Sequence, residues 1–251
     1  MLIEKVIRKV KRVLTKTKIS SEDFRKDFDL FNSLDTQKKL ANRWNDIQPC
    51  LYDKTSLTPF DAHYIYHPAW AARVIKKINP EKHIDISSSL HFSTMLSAFI
   101  PVEFYDYRPA KLNLSNLESK QGDLNQLPFQ TESVTSISCM HTIEHIGLGR
   151  YGDKIDPDGD LKAIAELQRV VKKGGNLLLV TPLGRPEIRF NAHRIYSFEM
   201  IHHLFNDFEL KNFSFVDDLN NYVEDANPSM VKNSSFGCGC FWYVKKQEVF
   251  S

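Results

Sequence analysis

Several short stretches of this 251-residue chain carry side chains able to do chemistry, and most of them follow runs of β-branched or apolar residues. Asp85, Ser87, Ser88 and Ser89 follow or end the run HIDIS. Asp106 and Tyr107 lie in FYDYRP, Asp123 and Leu124 in QGDLNQLPF, and His141, Glu144 and His145 in HTIEH. A carboxylate at a strand end can accept hydrogen bonds from both hydroxyls of a ribose, and neutral donors meeting a carboxylate form charge-assisted bonds. Asp106 suits that task, and Asp123, in a turn, suits an adenine amino group. Taken singly, each aspartate reads better as a turn or helix-cap residue. Their recurrence at successive strand ends favours one shared ligand.

A further stretch, NAHRIY at 191–196, brings His193, Arg194 and Tyr196, and Arg185 and Arg189 precede it. Imidazoles titrate near neutral pH, so His145 and His193 are candidate general bases, with Asp153 behind them. Arg185, Arg189 and Arg194 could pair with a carboxylate or phosphate on a substrate. A salt-bridged surface loop is the competing reading. Glu144, Arg150, Tyr151 and Tyr196 complete the expected substrate side.

Other patterns look chemical and are better explained otherwise. Gly147, Gly149 and Gly152 fit G-x-G-x-x-G, but a dinucleotide fingerprint follows a strand and opens a helix. Here the run leads into DKIDPDGD, so a loop shaping the substrate mouth is expected. His141-x-x-Glu144-His145 has the spacing of an inverted zincin, which needs both histidines on one helical face. At a strand end it does not have that. A divalent ion held by His141, Glu144, His145 and His193 is the weaker alternative to simple shaping of the pocket, and no metal site is expected. Asp156-Pro-Asp158-Gly-Asp160 has its glycine too early for a calcium loop and reads as a turn capping the next helix. Cys238 and Cys240 share one face of a strand, with packing as the default role.

The elements that must position these residues alternate. Strands are predicted over 83–87, 103–107, 117–122, 134–140, 176–180, 208–216 and 238–244. Helices are predicted from the His67-Pro68 pair to Asn79-Pro80, and over 90–99, 161–171 and 198–205, with Gly174-Gly175 as a left-handed C-cap of the third. Strands separated by helices imply right-handed βαβ units and a mostly parallel sheet. Ligands in such sheets bind beyond the carboxyl ends, where strand order reverses.

The runs GDLNQLPFQTESVTSISCMHTIEHI and LKAIAELQRVVKKGGNLLLVTPLG resemble the central half of class I S-adenosyl-L-methionine (SAM)-dependent methyltransferases. The resemblance extends over about residues 65–245. It implies an α/β, Rossmann-like sheet of seven strands, the last antiparallel, with helices on both faces and an extra N-terminal helical segment. It also implies SAM as cofactor, with Asp106 on the ribose, Asp123 on the adenine and Ser87–Ser89 at the methionine end. Asp85, Tyr107, Leu124 and His141 complete the expected cofactor set. More narrowly, HIGLGRYGDKIDPDGDLKA, NAHRIYS and FGCGCFWYVKK resemble a methyltransferase-like family of unassigned function found among bacterial surface-polysaccharide proteins. That context implies methylation of a sugar hydroxyl in a surface glycan. The lack of an aromatic-flanked Asn/Asp-Pro-Pro-Tyr motif fits oxygen rather than nitrogen as acceptor. One departure stands out. The first loop carries three serines where the family shows glycines, which permit unusual φ and close backbone approach. A degenerate module that has lost SAM is therefore the alternative.

Composition sets outer limits. At 42% hydrophobic and 25% charged residues the chain can build a sizeable core. Four scattered cysteines fit a reducing compartment rather than a disulfide framework. No window approaches the roughly 18 apolar residues of a spanning helix. Net charge is +2, yet residues 1–20 carry seven Lys/Arg against Glu4, leaving the body at −4. Ile3, Val6, Ile7, Val10, Val13 and Leu14 fall on one helical face. Residues 1–20 thus read as a basic amphipathic helix, either lying on an anionic membrane or a partner, or packed on the body. The acidic body argues against nucleic acid. The domain reading is this helix, a helical and loop lid at 21–64, and the methyltransferase-like domain at 65–251. The expected setting is the cytoplasm, with residues 1–18 able to touch the inner membrane face, and a small-molecule or glycan substrate.

Overall fold

The computed structural model describes residues 19–247, so the basic helix expected at 1–20 lies almost wholly outside the described residues. The chain divides into two compact units that meet between Phe60 and Asp61. That boundary precedes the expected one at 64/65, which falls inside a helix. In the first unit, α1 spans Ser21–Leu34. Ser20 caps it by accepting from Asp23 N, and Glu22 and Asp23 sit at the positive end of its dipole. Phe28 packs edge-on against Trp44, with ring centroids 5.1 Å apart. No helix among the described residues is long and apolar enough to cross a membrane.

The second unit opens with α2 (Ala62–Ile78), capped by Asp61 and closed by Asn79 in a left-handed conformation. Pro68 lies inside this helix rather than in its first turn. Five elements follow: β1 (His83–Ile86), α3 (Leu90–Leu96), β2 (Val102–Asp106), β3 (Leu117–Gln121) and β4 (Val134–Met140). A 3-10 turn at Ile143–His145 leads to α4 (Gly159–Val170), which runs straight into β5 (Val171–Leu183). The chain continues through β6 (Glu187–Arg189), β7 (His193–Ile195), α5 (Phe198–Leu204), β8 (Phe208–Val216), β9 (Tyr222–Val223) and β10 (Gly237–Lys245).

Eight strands form one sheet in the order β3-β2-β1-β4-β5-β10-β8-β9, and β6 and β7 make a separate hairpin. Strands β1 to β5 are mutually parallel, and β10 inserts antiparallel between β5 and β8. The expected seven strands gain an eighth, the two-residue β9. Strand order reverses between β1 and β4, which opens the crevice of a doubly wound sheet. Both faces are covered. Leu177 and Leu179 point into one core beneath α4 and α5, while Leu178 and Val180 point into the other beneath α2 and α3. This explains the unbroken NLLLV run: a strand buried on both sides has no polar phase.

The Gly174-Gly175 pair is not the helix cap that its sequence suggests. Val171 is already extended, and the pairing with β4 jumps from Val134↔Val171 to Ser136↔Asn176. Residues 172–175 therefore bulge from β5, and Gly174 supplies the positive φ of 76° that the bulge needs.

A buried polar chain ties β1 to β4. The Ser138 hydroxyl donates to Asp85 Oδ1 at 2.6 Å, so it accepts from His83 Nε2 at 2.9 Å. A neutral His83 then uses Nδ1 to accept from Ser136, at 2.8 Å. Ser93 of α3 donates to the other Asp85 oxygen. Burial holds the His83 pKa down to about 3 and pushes that of Asp85 up to about 6, against the serine hydrogen bonds. A raised carboxyl pKa contributes stability below the unfolded value and loses it as pH rises through the folded one. Asp85→Asn therefore destabilises the protein more near pH 4 than at about pH 7, by on the order of 2 kcal/mol. Parallel urea melts of the two proteins measure this difference, and the unchanged His83 cancels between them.

Candidate functional site

The carboxyl ends of β1 to β4 enclose a cleft of about 400 Å³. Ser87, Asp106, Asp123 and His141, from four successive strand ends, all line it. Ser87 holds φ at 52°, the left-handed region that favours glycine. Its N–H and its hydroxyl both donate to Tyr105 O, at 2.8 and 3.1 Å. These two bonds offset the roughly 1–2 kcal/mol that a side chain adds in that region. The backbone thus takes a glycine-like course without glycine. Ser88 and Ser89 are used inward: Ser88 accepts from Met140 N and Ser89 caps α3 by accepting from Phe92 N. Asp85, fully buried in the polar chain between β1 and β4, does not line the cleft either.

Asp106 and Asp123 share one design. Asp106 Oδ1 accepts from Arg108 N at 2.7 Å, and Asp123 Oδ1 accepts from Asn125 N at 2.8 Å. Each carboxylate is oriented by one oxygen while the other has no hydrogen-bond partner among the described residues. Tyr107 and Leu124, beside them, also line the cleft.

His141 directly follows β4 with φ at 55°, a strained turn that aims its ring back over the sheet. Its Nδ1 meets Glu144 Oε1 at 2.8 Å and its Nε2 meets Cys238 Sγ at 3.4 Å. Burial acts to lower the His141 pKa, but Cys238 and Glu144 outweigh it and raise it to about 10. Glu144 is 1% exposed and does not reach the cleft. His145 does. Its Nδ1 lies 2.6 Å from Ala192 O; a carbonyl only accepts, so this nitrogen carries the proton. That leaves Nε2 as the basic lone pair. Burial first, then the charges of Arg150 and His141, lower the His145 pKa despite Glu144, which keeps the ring neutral at pH 7.

The wall opposite is the loop between the Ile143–His145 turn and α4. Gly147, Gly149 and Gly152 all adopt positive φ. Asp153 binds this loop together by accepting from Gly147 N, Gly149 N and Tyr151 N, at 2.8, 3.2 and 3.2 Å. Its carboxylate is thus committed to backbone amides rather than to a base. Arg194, expected on the substrate side, is buried and donates to Ile146 O and Pro157 O at 2.7 and 3.0 Å. Tyr196 is buried too, its hydroxyl donating to Asp160 Oδ2 at 2.8 Å. Both pin the ends of the loop. His193 rests against the Phe236 ring, and neither it nor Arg185 lines the cleft. Asp158 precedes α4 but makes no side-chain capping bond; the turn is held by Asp156, which accepts from Asp158 N.

Sequence reasoning missed Arg108, which lines the cleft and lies over the Tyr151 ring at 4.7 Å. Its place two residues after Asp106 was the available signal. It also missed the neighbours of His141. The rings of His63, Tyr64 and His67, all on α2, lie 5.0–5.7 Å from that of His141. Glu144 Oε2 and His67 Nε2 are buried without hydrogen-bond partners among the described residues. Instead of the set His141, Glu144, His145 and His193, the potential metal ligands that converge among the described residues are His63, His141 and Cys238.

Comparison with known proteins adds three findings. A family model described as "Caenorhabditis protein of unknown function, DUF268" matches residues 116–236. Comparison with curated proteins gives no match. Among solved structures, YcgJ protein from Bacillus subtilis is similar at 16% identity over 73% of this chain and 99% of that one, with a TM-score of 0.50. The Burkholderia thailandensis 1,6-didemethyltoxoflavin-N1-methyltransferase, in a structure with bound 1,6-didemethyltoxoflavin and S-adenosylhomocysteine, is similar at 8% identity over 72% and 79%, with a TM-score of 0.52. At such identities the likeness establishes the fold alone: an α/β, Rossmann-like sheet.

A Cβ at Gly147 would stand 2.0 Å from Asp156 O, at a φ of 80°. Gly147→Ala must therefore break the 147–156 closure, at a local cost on the order of 2–3 kcal/mol. Hydrogen exchange of the Asp156 and Tyr151 amides reads this out as faster exchange, while the β4 and β5 amides stay protected.

Proposed function

We propose that the second unit is a SAM-dependent methyltransferase that methylates a hydroxyl oxygen, with a sugar of a bacterial surface glycan as acceptor. The observation that carries the reading is the pair Asp106 and Asp123. They stand at neighbouring strand ends in one cleft, each oriented by a backbone amide and each with an oxygen to spare. Such a pair fits an adenosine, with Asp106 accepting from ribose hydroxyls and Asp123 from the adenine amino group. The left-handed turn at Ser87 gives the first loop a glycine-like backbone course where it borders the cleft. This weighs against a degenerate module. The fold shared with a methyltransferase that holds S-adenosylhomocysteine is consistent with the same ligand.

SAM, held by Asp106 and Asp123, would supply an electrophilic sulfonium methyl group and leave as neutral S-adenosylhomocysteine. The chain's own part is alignment and proton removal. His145 borders the cleft with Nε2 unprotonated, so it can take the hydroxyl proton as the oxygen attacks. The loop tied by Asp153 and Arg194 walls the acceptor side, with Tyr151 and Arg108 stacked at its mouth. The sugar acceptor rests on the resemblance of the HIGLGRYGDKIDPDGDLKA and NAHRIYS stretches alone.

Calorimetry with S-adenosylhomocysteine tests the reading. Asp106→Asn and Asp123→Asn each weaken binding by about tenfold or more, roughly 1.4 kcal/mol. Ser87→Gly, which clears a side chain from the cleft lining, tightens it, and His145→Gln leaves it within about twofold. No heat from the unaltered protein at millimolar ligand would sink the assignment.

A further inference from the structure

We propose that His63, His141 and Cys238 form a site for a soft divalent metal of the zinc class, with three protein ligands and one coordination position open. The three come from the first turn of α2, the end of β4 and the start of β10, and their donor atoms all lie within 4.8 Å of one another. Zinc binds thiolate at about 2.3 Å and imidazole at about 2.1 Å, so a tetrahedral S···N edge is about 3.6 Å. Cys238 Sγ and His141 Nε2 already stand 3.4 Å apart. A shift of about 1 Å in the half-buried His63 ring closes the set.

Three independent features support a ligand role over a plain hydrogen bond. Glu144 Oε1 accepts a hydrogen bond from His141 Nδ1 at 2.8 Å and leaves Nε2, facing Cys238, as the nitrogen that a metal would take in place of its proton, the usual outer-shell arrangement of a metal-bound imidazole. His141 is held in a left-handed backbone conformation that directs the ring there. Buried polar atoms without partners, Glu144 Oε2 and His67 Nε2, lie on the residues packed around the same ring. Charge agrees: a divalent ion would balance the Glu144 carboxylate and the Cys238 thiolate that forms as the thiol gives up its proton on binding. A mixed Cys/His set selects zinc over magnesium or calcium, which prefer oxygen. Three ligands leave a fourth position for water or substrate. Since His141 also lines the cleft, that position adjoins the acceptor region. The proposal does not depend on what the cleft itself binds.

Cobalt(II) is the probe. The full-length protein, stripped with a chelator, takes up one equivalent and develops a thiolate-to-cobalt charge-transfer band, and zinc displaces it. Cys238→Ser abolishes the band. His63→Gln, at a half-exposed position and checked for folding by far-ultraviolet circular dichroism, weakens cobalt and zinc binding by about tenfold or more. Absence of the band in the unaltered protein shows a Cys238–His141 hydrogen bond only and overturns the site. So does undiminished affinity in folded His63→Gln. Binding of S-adenosylhomocysteine, measured on the same stripped samples, separates failure of the metal site from failure of the cofactor reading.

Discussion

Everything at the functional edge depends on the parallel pairing of β1 with β4 at the point where strand order reverses. From β1 the chain winds outward through β2 and β3; from β4 it winds the other way through β5. The two strands end side by side, and no crossover covers their carboxyl ends. What holds them in register, besides the ladder, is the Asp85–Ser138–His83 chain running through the sheet. Hydrogen bonds in so dry a place are strong, and each is costly to leave unmade. The acid that sequence reasoning assigned to the ligand works instead beneath it, setting the platform on which Ser87 and His141 turn.

On that platform strain is concentrated at two residues. Ser87 and His141 are both non-glycine residues at positive φ, and both stand at the rim of the same cleft. Such conformations persist only where the surroundings over-determine them. Here the surroundings are visible: two bonds to Tyr105 O hold Ser87, while Val180, Glu144 and Cys238 hold His141. The facing loop uses the opposite device, three glycines at positive φ, two of which donate their amides to one carboxylate. Arg194 and Tyr196 then anchor its ends from the β6–β7 side. A flexible sequence thereby becomes a defined wall.

The cleft and the histidine cluster form two environments with opposite electrostatic logic. Asp106 and Asp123 stand at the open mouth, where solvent tempers their charge and each keeps one oxygen unpaired among the described residues. His63, His67, His141, Glu144 and Cys238 crowd a drier region, where burial lowers the His63 and His67 pKa values and raises that of the Cys238 thiol. His141 belongs to both.

Much of this was legible along the chain. Alternating strand and helix periods marked the sheet, the apolar runs of β4 and β5 marked its centre, and the acids at successive strand ends marked the cleft. Local residue type and spacing determine these, because backbone periodicity and turn chemistry act over a few neighbours. The same reasoning misread Gly174-Gly175, since a left-handed glycine serves a helix cap and a strand bulge equally well, and the pairing partner decides between them. It assigned Asp85, Arg194 and Tyr196 to ligands because a polar side chain in sequence does not reveal whether it meets solvent, a ligand or the main chain. Above all, His63, His141 and Cys238 are separated by scores of residues, and only the insertion of β10 beside β5, together with the packing of α2 on that face, brings their donor atoms together. Sequence by itself set which groups line each strand end; tertiary packing alone decided which of those groups meet, because contacts across a sheet depend on strand order, and strand order is written in no local pattern.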